Sequence, residues 1–103
     1  MRKQYPDFIQ TELEKIKQQG GLSVVHDQDY TYAVIGLGER STGGYSIQVL
    51  SAEEVQGPTE RYILIKAKET KPGPYDMVTQ AFTYPVAVHR LPLTPLPIKI
   101  EWI

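Results

Sequence analysis

The spacing of apolar positions changes once along the chain, near residue 20. Before this point, apolar residues recur at the spacing that places them on one face of a helix, which predicts an amphipathic helix over Tyr5–Gln19. Pro6 suits the first turn of such a helix, and Gly20-Gly21 ends it. The apolar residues of this face are Tyr5, Phe8, Ile9, Leu13 and Ile16. We expect Phe8, Leu13 and Ile16 to be buried against a sheet.

After residue 20, apolar and polar residues alternate in short runs, as is typical of half-buried strands. Glu53–Glu60, which contains Gly57-Pro58, is predicted to be a polar connection. Because a helix cannot bury its apolar stripe alone, we expect an α+β fold. In it the N-terminal helix packs on a small, mainly antiparallel sheet or sandwich of five to six strands. The segments predicted to be strands or extended chain are Leu22–His26, Tyr30–Leu37, Tyr45–Val49, Arg61–Lys68, Val78–Leu91 and Ile98–Ile103.

Length and charge restrict the classes of function. The 103 residues are enough for one domain, spanning 1–103, with a single modest core. The formal net charge is −1, and nucleic-acid binding usually requires a basic face, so we expect no nucleic-acid partner. No apolar run is long enough to cross a bilayer. Residues 1–7 contain no apolar segment typical of a secretory signal, which leaves the cytoplasm or an extracellular domain whose signal or anchor is missing.

Candidate chemistry is sparse. The chain has no cysteine, which excludes disulfides, cysteine-type zinc sites and thiol catalysis. Its two histidines, His26 and His89, do not have the spacing of metal ligands, and Glu53-Glu54 is typical of a solvated turn. No serine has the Gly-x-Ser-x-Gly setting of a nucleophile. We therefore expect a protein that is not an enzyme and needs neither cofactor nor metal.

Four glycines lie within the ten residues Gly36–Tyr45, which we call the glycine loop. Ser41 stands where a dinucleotide-binding loop has its third glycine, and Gly44-Tyr45 replaces the Lys-Ser/Thr of a P-loop. Both of those motifs also need a following helix, whereas a strand is predicted here. Two interpretations remain open. The loop is either a long hairpin connection whose glycines supply positive φ, or a binding loop held by a rigid sheet.

Two segments resemble a known family. Gly38-Glu39-Arg40-Ser41-Thr42-Gly43-Gly44-Tyr45, with the alternating strand behind it, resembles the Gly-x-x-x-Thr-Gly-Gly-Tyr signature of the PrcB C-terminal domain family. Residues 72–80, continuing to Tyr84-Pro85, resemble its second marked segment. The family is named for a lipoprotein subunit that stabilises an extracellular protease complex, and the resemblance implies a small non-catalytic domain. The glycine loop is also faintly similar to the Thr-Thr-Gly-Tyr loop of chagasin-type cysteine-protease inhibitors.

These observations give three hypotheses of different classes. The first is a protein-binding domain that stabilises or modulates a protease, with the two resembling segments adjacent at one end of the sheet. The second is a structural or self-associating domain, in which the edge strand Ile98–Ile103 pairs with the same strand of another copy to form a homo-oligomer. The third is a small hydrolase or ligand-binding protein that uses His89. The predicted partner-binding residues of the first hypothesis are Glu39, Arg40, Ser41, Thr42, Gly43, Gly44, Tyr45, Pro74, Tyr75 and Asp76.

Overall fold

The computed structural model describes residues 7–103. One helix precedes six strands, and the part of the predicted helix formed by Tyr5 and Pro6 lies outside the described residues. The elements are α1 (Asp7–Gln19), β1 (Gly21–His26), β2 (Tyr30–Gly36), β3 (Ser46–Gln56), β4 (Arg61–Thr70), β5 (Val86–Pro92) and β6 (Ile98–Trp102). The α+β fold expected from the sequence is confirmed.

The strands form two three-stranded sheets. The first has the order β1-β2-β5 and is antiparallel throughout. The second has the order β3-β4-β6, in which β3 and β4 form an antiparallel hairpin and β6 runs parallel to β4. The helix contacts the first sheet, which is therefore the middle layer of three.

Strand β2 lies at the centre of this arrangement, and all its residues from Thr31 to Gly36 are buried. Tyr32 and Val34 pack with the helix, whereas Ala33 and Ile35 pack with Ile65 of the second sheet. Successive residues of a strand point to opposite faces, so β2 supplies both cores of the protein. This explains why its sequence is apolar on both faces, as in strands covered on both sides.

The helix buries a narrower stripe than predicted. Ile9 and Ile16 are buried and Leu13 is half-buried, but Phe8 is 36% exposed, so the prediction of a buried Phe8 is wrong. Its ring makes an edge contact with Tyr32, with centroids 6.1 Å apart, at the margin of the helix–sheet interface. The opposite end of the helix approaches β2 closely at Gly36. A Cβ on Gly36 would lie 2.7 Å from the carbonyl oxygen of Ile16, so only glycine fits here.

Strand β3 is longer than predicted, since it extends to Gln56 and includes the first half of the predicted polar connection Glu53–Glu60. Its pairing with β4 shifts between Val49 and Ser51, where a β-bulge interrupts the ladder. A bulge adds one residue to one strand and reverses the inside–outside alternation beyond it. Because the alternation changes phase and the successive residues Glu53 and Glu54 are both exposed, the second half of the strand cannot be recognised from the sequence pattern.

The predicted extended stretch Val78–Leu91 forms a strand only from Val86 onward. Its first half belongs to a long loop of irregular backbone that covers residues 71–85, and we call this the second loop. Pro92 is the last residue of β5, and Pro95 and Pro97 lie in the connection to β6, so none of these prolines interrupts the interior of a strand.

Candidate functional site

The glycine loop and the second loop lie at the same end of the two sheets. Gly36, where β2 ends, pairs with Val86, where β5 begins. Ser46, where β3 begins, pairs with Thr70, where β4 ends. Each loop therefore crosses from one sheet to the other, and the interpretation of the glycine loop as a hairpin connection is wrong. Two adjacent crossovers at one end of a sandwich give one continuous surface, which we call the paired-loop surface.

Backbone hydrogen bonds join the two loops directly. Arg40 and Thr83 form an isolated antiparallel bridge, in which Arg40 N donates to Thr83 O at 2.8 Å and Thr83 N donates to Arg40 O at 2.9 Å. The Thr83 hydroxyl donates to the carbonyl oxygen of Thr42 at 2.7 Å. Gly43 N donates to Thr79 O at 2.9 Å. The two loops thus stabilise each other through hydrogen bonds like those that pair neighbouring strands in a sheet.

Gly44 allows the closest approach between the loops. Its φ is +91°, in the region that favours glycine. A Cβ at this position would lie 2.8 Å from Pro72 Cβ and 2.9 Å from Val78 Cγ1. Real Cβ atoms do not come this close to other carbons, so glycine is required both by the backbone conformation and by the neighbouring loop.

Arg40 ties the glycine loop to the second sheet. Its guanidinium donates to both carboxylate oxygens of Glu69 on β4, from Nε at 2.8 Å and from Nη2 at 3.2 Å. The same side chain donates from Nη1 to the carbonyl oxygens of Leu37 and Glu39, each at 3.0 Å. The hydrogen bonds between Arg40 and Glu69 hold the pKa of Glu69 below its ordinary value and raise the pKa of Arg40. A bidentate pair of this kind fixes geometry as well as charge.

Two tyrosines near Arg40 are also engaged within the protein. The Arg40 guanidinium carbon lies 5.8 Å from the ring centroid of half-buried Tyr45, within the range of a cation–π contact. The Tyr84 hydroxyl donates to the Glu39 carboxylate at 3.1 Å, and this bond raises the pKa of Tyr84. Arg40 and Tyr45 are both among the predicted partner-binding residues, and each makes these contacts within the protein itself, so their role in partner binding stays a prediction.

The tip of the second loop is a small turn that projects from the surface. Asp76 N donates to Gly73 O at 3.2 Å, and the Asp76 carboxylate accepts a hydrogen bond from Gly73 N at 2.6 Å. Between them, Pro74 is exposed and Tyr75 is 95% exposed. Asp76 acts here as a turn residue that orders the loop and presents Tyr75 outward.

Large apolar side chains of the second loop point into solvent. Met77 is 100% exposed and Phe82 is 64% exposed, in addition to Tyr75. Sequence reasoning missed Met77, Phe82 and also Glu69, the partner of Arg40. The available signal is that apolar and polar residues between Asp76 and Tyr84 do not alternate clearly, so the sequence there does not define one apolar face of a strand.

The ten predicted binding residues lie at one end of the molecule, but they differ in their exposure to solvent. Within the glycine loop, Thr42 and Gly43, which are hydrogen-bonded to the second loop, are half-buried, and so are Arg40 and Tyr45. The accessible predicted residues are Glu39, Ser41, Gly44, Pro74, Tyr75 and Asp76. Solvent therefore reaches the second loop more than the glycine loop.

His89 lies half-buried in the middle of β5, paired in register with Ala33, three residues along the strand from Val86, where the second loop ends. In the part of the chain that the structure describes, no three His, Asp or Glu side chains are grouped so as to hold a metal ion. None of the helices within residues 7–103 has the length and apolar character needed to span a bilayer.

Comparison with known proteins gives one match. The family model described as PrcB C-terminal matches residues 31–92, more than half of the chain, from β2 to the end of β5. No curated protein and no solved structure matches significantly. The likeness of the glycine loop to chagasin-type inhibitors receives no support from these comparisons and stays a prediction. The matched region contains both loops and the strands that carry them, and the chain belongs to the PrcB C-terminal family.

Proposed function

We propose that this domain is a non-enzymatic protein-binding module that stabilises or modulates a protease complex, and that it binds through the paired-loop surface. The observation that carries the proposal is the exposure of Tyr75, Met77 and Phe82 on one loop. Contiguous exposed apolar side chains are uncommon on monomeric proteins and mark interaction sites when they cluster. The family assignment supports the class of partner, because the family takes its name from a protease-associated subunit.

The chemistry of these three side chains suits a protein partner. Tyrosine and phenylalanine offer large contact areas with few rotatable bonds, and aromatic residues are enriched among binding hot spots. Methionine is flexible and polarisable, so it adapts to the shape of an apolar pocket. A partner that contributes a concave apolar surface would remove all three from water.

The remainder of the paired-loop surface serves to hold these side chains in place. The bridge between Arg40 and Thr83 lies next to Phe82, and the turn from Gly73 to Asp76 precedes Met77. A loop that is already ordered before binding loses less conformational entropy in the complex, which strengthens binding. In this proposal the glycine loop is the support of the contact surface, and the second loop makes most of the contact.

Site-specific photocrosslinking in extracts of the native source tests the proposal. A photoreactive amino acid in place of Met77 should crosslink one specific protein, identified by mass spectrometry as a component of a protease complex. The same group in place of Gln28, in the exposed turn at the opposite end of β2, is the matched control. A crosslinked protein that is found equally from both positions, or that has no connection with proteolysis, would contradict the proposal.

A further inference from the structure

Strand β6 leaves one edge of the second sheet without a partner strand. It pairs on one side with β4, and within residues 7–103 no strand pairs with its other side. Natural proteins usually protect such edges with bulges, prolines or charges. The opposite edge strand of this sheet, β3, carries a bulge between Val49 and Ser51 and two neighbouring acidic residues. Strand β6 has neither a bulge nor an internal proline, and its two charged residues, Lys99 and Glu101, are of opposite sign.

Two hydrogen bonds establish which backbone groups of β6 face outward. Ile63 N donates to Pro97 O at 2.9 Å, and Ile103 N donates to Ala67 O at 2.8 Å. In a parallel pair the N–H and C=O of one residue point to the same side, and the side alternates along the strand. Odd-numbered residues of β6 therefore bond to β4. The free edge presents the N–H and C=O groups of Ile98, Ile100 and Trp102.

The sequence of β6 is complementary to itself when it is reversed about Ile100. In an antiparallel pair of two copies centred there, Ile100 faces Ile100, and Ile98 faces Trp102. These are the residues whose backbone groups point outward, so each pair can exchange both of its hydrogen bonds. The register is therefore compatible with the stereochemistry of an antiparallel ladder.

The same register places opposite charges against each other. Lys99 faces Glu101 of the second copy, and the two-fold axis repeats the pair. Both are non-hydrogen-bonded positions, where side chains of opposite strands come closest. Within the monomer, exposed Lys99 lies 3.6 Å from Glu60 and 4.4 Å from the Tyr62 ring centroid. None of residues 7–103 forms an ion pair with Glu101.

Apolar side chains at this edge would also lose water contact. Trp102, the last residue of β6, is 42% exposed, and Ile103, which follows the strand, is 64% exposed. In the paired register Trp102 packs beside Ile98 of the second copy, an aromatic and β-branched pair of the kind that stabilises sheets. We infer that the protein forms a two-fold symmetric dimer in which two β6 strands join their sheets into one continuous sheet.

Charge reversal tests this dimer with the purified chain alone. Lys99→Glu puts glutamates against glutamates in a homodimer, and Glu101→Lys puts lysines against lysines. Each variant should raise the dimer dissociation constant roughly 10- to 100-fold, measured by analytical ultracentrifugation. An equimolar mixture of the two variants should dimerise again, because the heterodimer restores a Lys–Glu pair at both positions. The double variant Lys99→Glu/Glu101→Lys should dimerise like the wild type.

Glu53→Lys is the matched control. Glu53 is exposed on β3, at the opposite edge of the same sheet, and its replacement makes the same charge change as Glu101→Lys. It should leave the dissociation constant unchanged. The inference is overturned if the wild-type chain stays monomeric up to about 500 µM, a concentration at which even weak specific dimers are detectable. It is overturned equally if the mixed variants fail to associate, or if Glu53→Lys weakens the dimer as much as Glu101→Lys does.

Discussion

Replacing Gly44 with alanine should destabilise the protein by breaking the contact between the two loops. The new Cβ would lie 2.8 Å from Pro72 Cβ and 2.9 Å from Val78 Cγ1, at a residue with φ of +91°. A left-handed conformation costs a non-glycine residue about 1–2 kcal/mol. Overpacking a tight contact costs about 1–3 kcal/mol more. Alanine also restricts the unfolded chain, which offsets about 0.4–1 kcal/mol.

Gly38→Ala separates these contributions. Gly38 has a similar φ of +77°, but a Cβ there would have no other heavy atom within 4 Å. The backbone and unfolded-state contributions are therefore common to both variants. We expect Gly44→Ala to lower the free energy of unfolding by about 1–3 kcal/mol more than Gly38→Ala does. In thermal melts this corresponds to an additional decrease of roughly 4–8 °C in Tm per kcal/mol.

Urea and thermal unfolding, followed by circular dichroism, measure the difference directly. Equal destabilisation by the two substitutions would refute the reasoning, because it would show that the second loop does not press on Gly44. A loss of stability in Gly38→Ala that exceeds the loss in Gly44→Ala would refute it as well.

Other predictions concern the scaffold. Glu69→Gln should lower the free energy of unfolding at neutral pH by about 1–3 kcal/mol, because it breaks the charged hydrogen bonds from Arg40. The folded-state pKa of Glu69 is lowered, so this stabilisation is complete above its ordinary value of 4.5 and is lost as the pH falls through the lowered pKa. The difference in urea stability between wild type and variant should shrink accordingly in acid, and a difference that persists there would contradict the assignment. Ile16→Ala should cost about 2–5 kcal/mol in thermal or urea unfolding, whereas exposed Phe8→Ala should cost clearly less, and equal costs would contradict the helix packing. A broad hydrolase screen should show no turnover that His89→Ala abolishes, and such turnover would favour an enzyme instead.

Much of the fold follows from local sequence pattern. The period of apolar residues identifies α1, and alternation locates most strands, because each of these elements buries one face against one neighbour. Two exceptions have physical causes. Strand β2 lacks alternation since it is covered on both faces, and β3 is truncated in the prediction since its bulge reverses the phase of the pattern. Neither a second covering layer nor a bulge is visible in a local window of sequence.

The location of the candidate site is predictable from the sequence, but its contacts and the exposure of its side chains are not. The glycines and turn residues locate both loops, because positive φ and tight turns require those residue types. The partner of Arg40 is 29 residues away along the chain, so only the fold shows that its charge is already satisfied by Glu69. The exposure of Met77 and Phe82 depends on the path of the second loop across the end of the sheets. Apolar residues in a sequence predict burial by default, and their exposure is visible only in three dimensions.

The affinity of the crosslinked partner for a loop variant tests the central proposal most directly. Tyr75, Met77 and Phe82 are exposed, so the triple variant Tyr75→Ala/Met77→Ala/Phe82→Ala should fold with little change in Tm. Isothermal titration calorimetry should show its affinity for the partner reduced by about 100-fold or more, since aromatic anchors carry most of the binding free energy. Val24→Ala/Leu93→Ala, which removes exposed apolar side chains elsewhere, should bind like the wild type. Full affinity in the triple variant would contradict a binding function of the paired-loop surface.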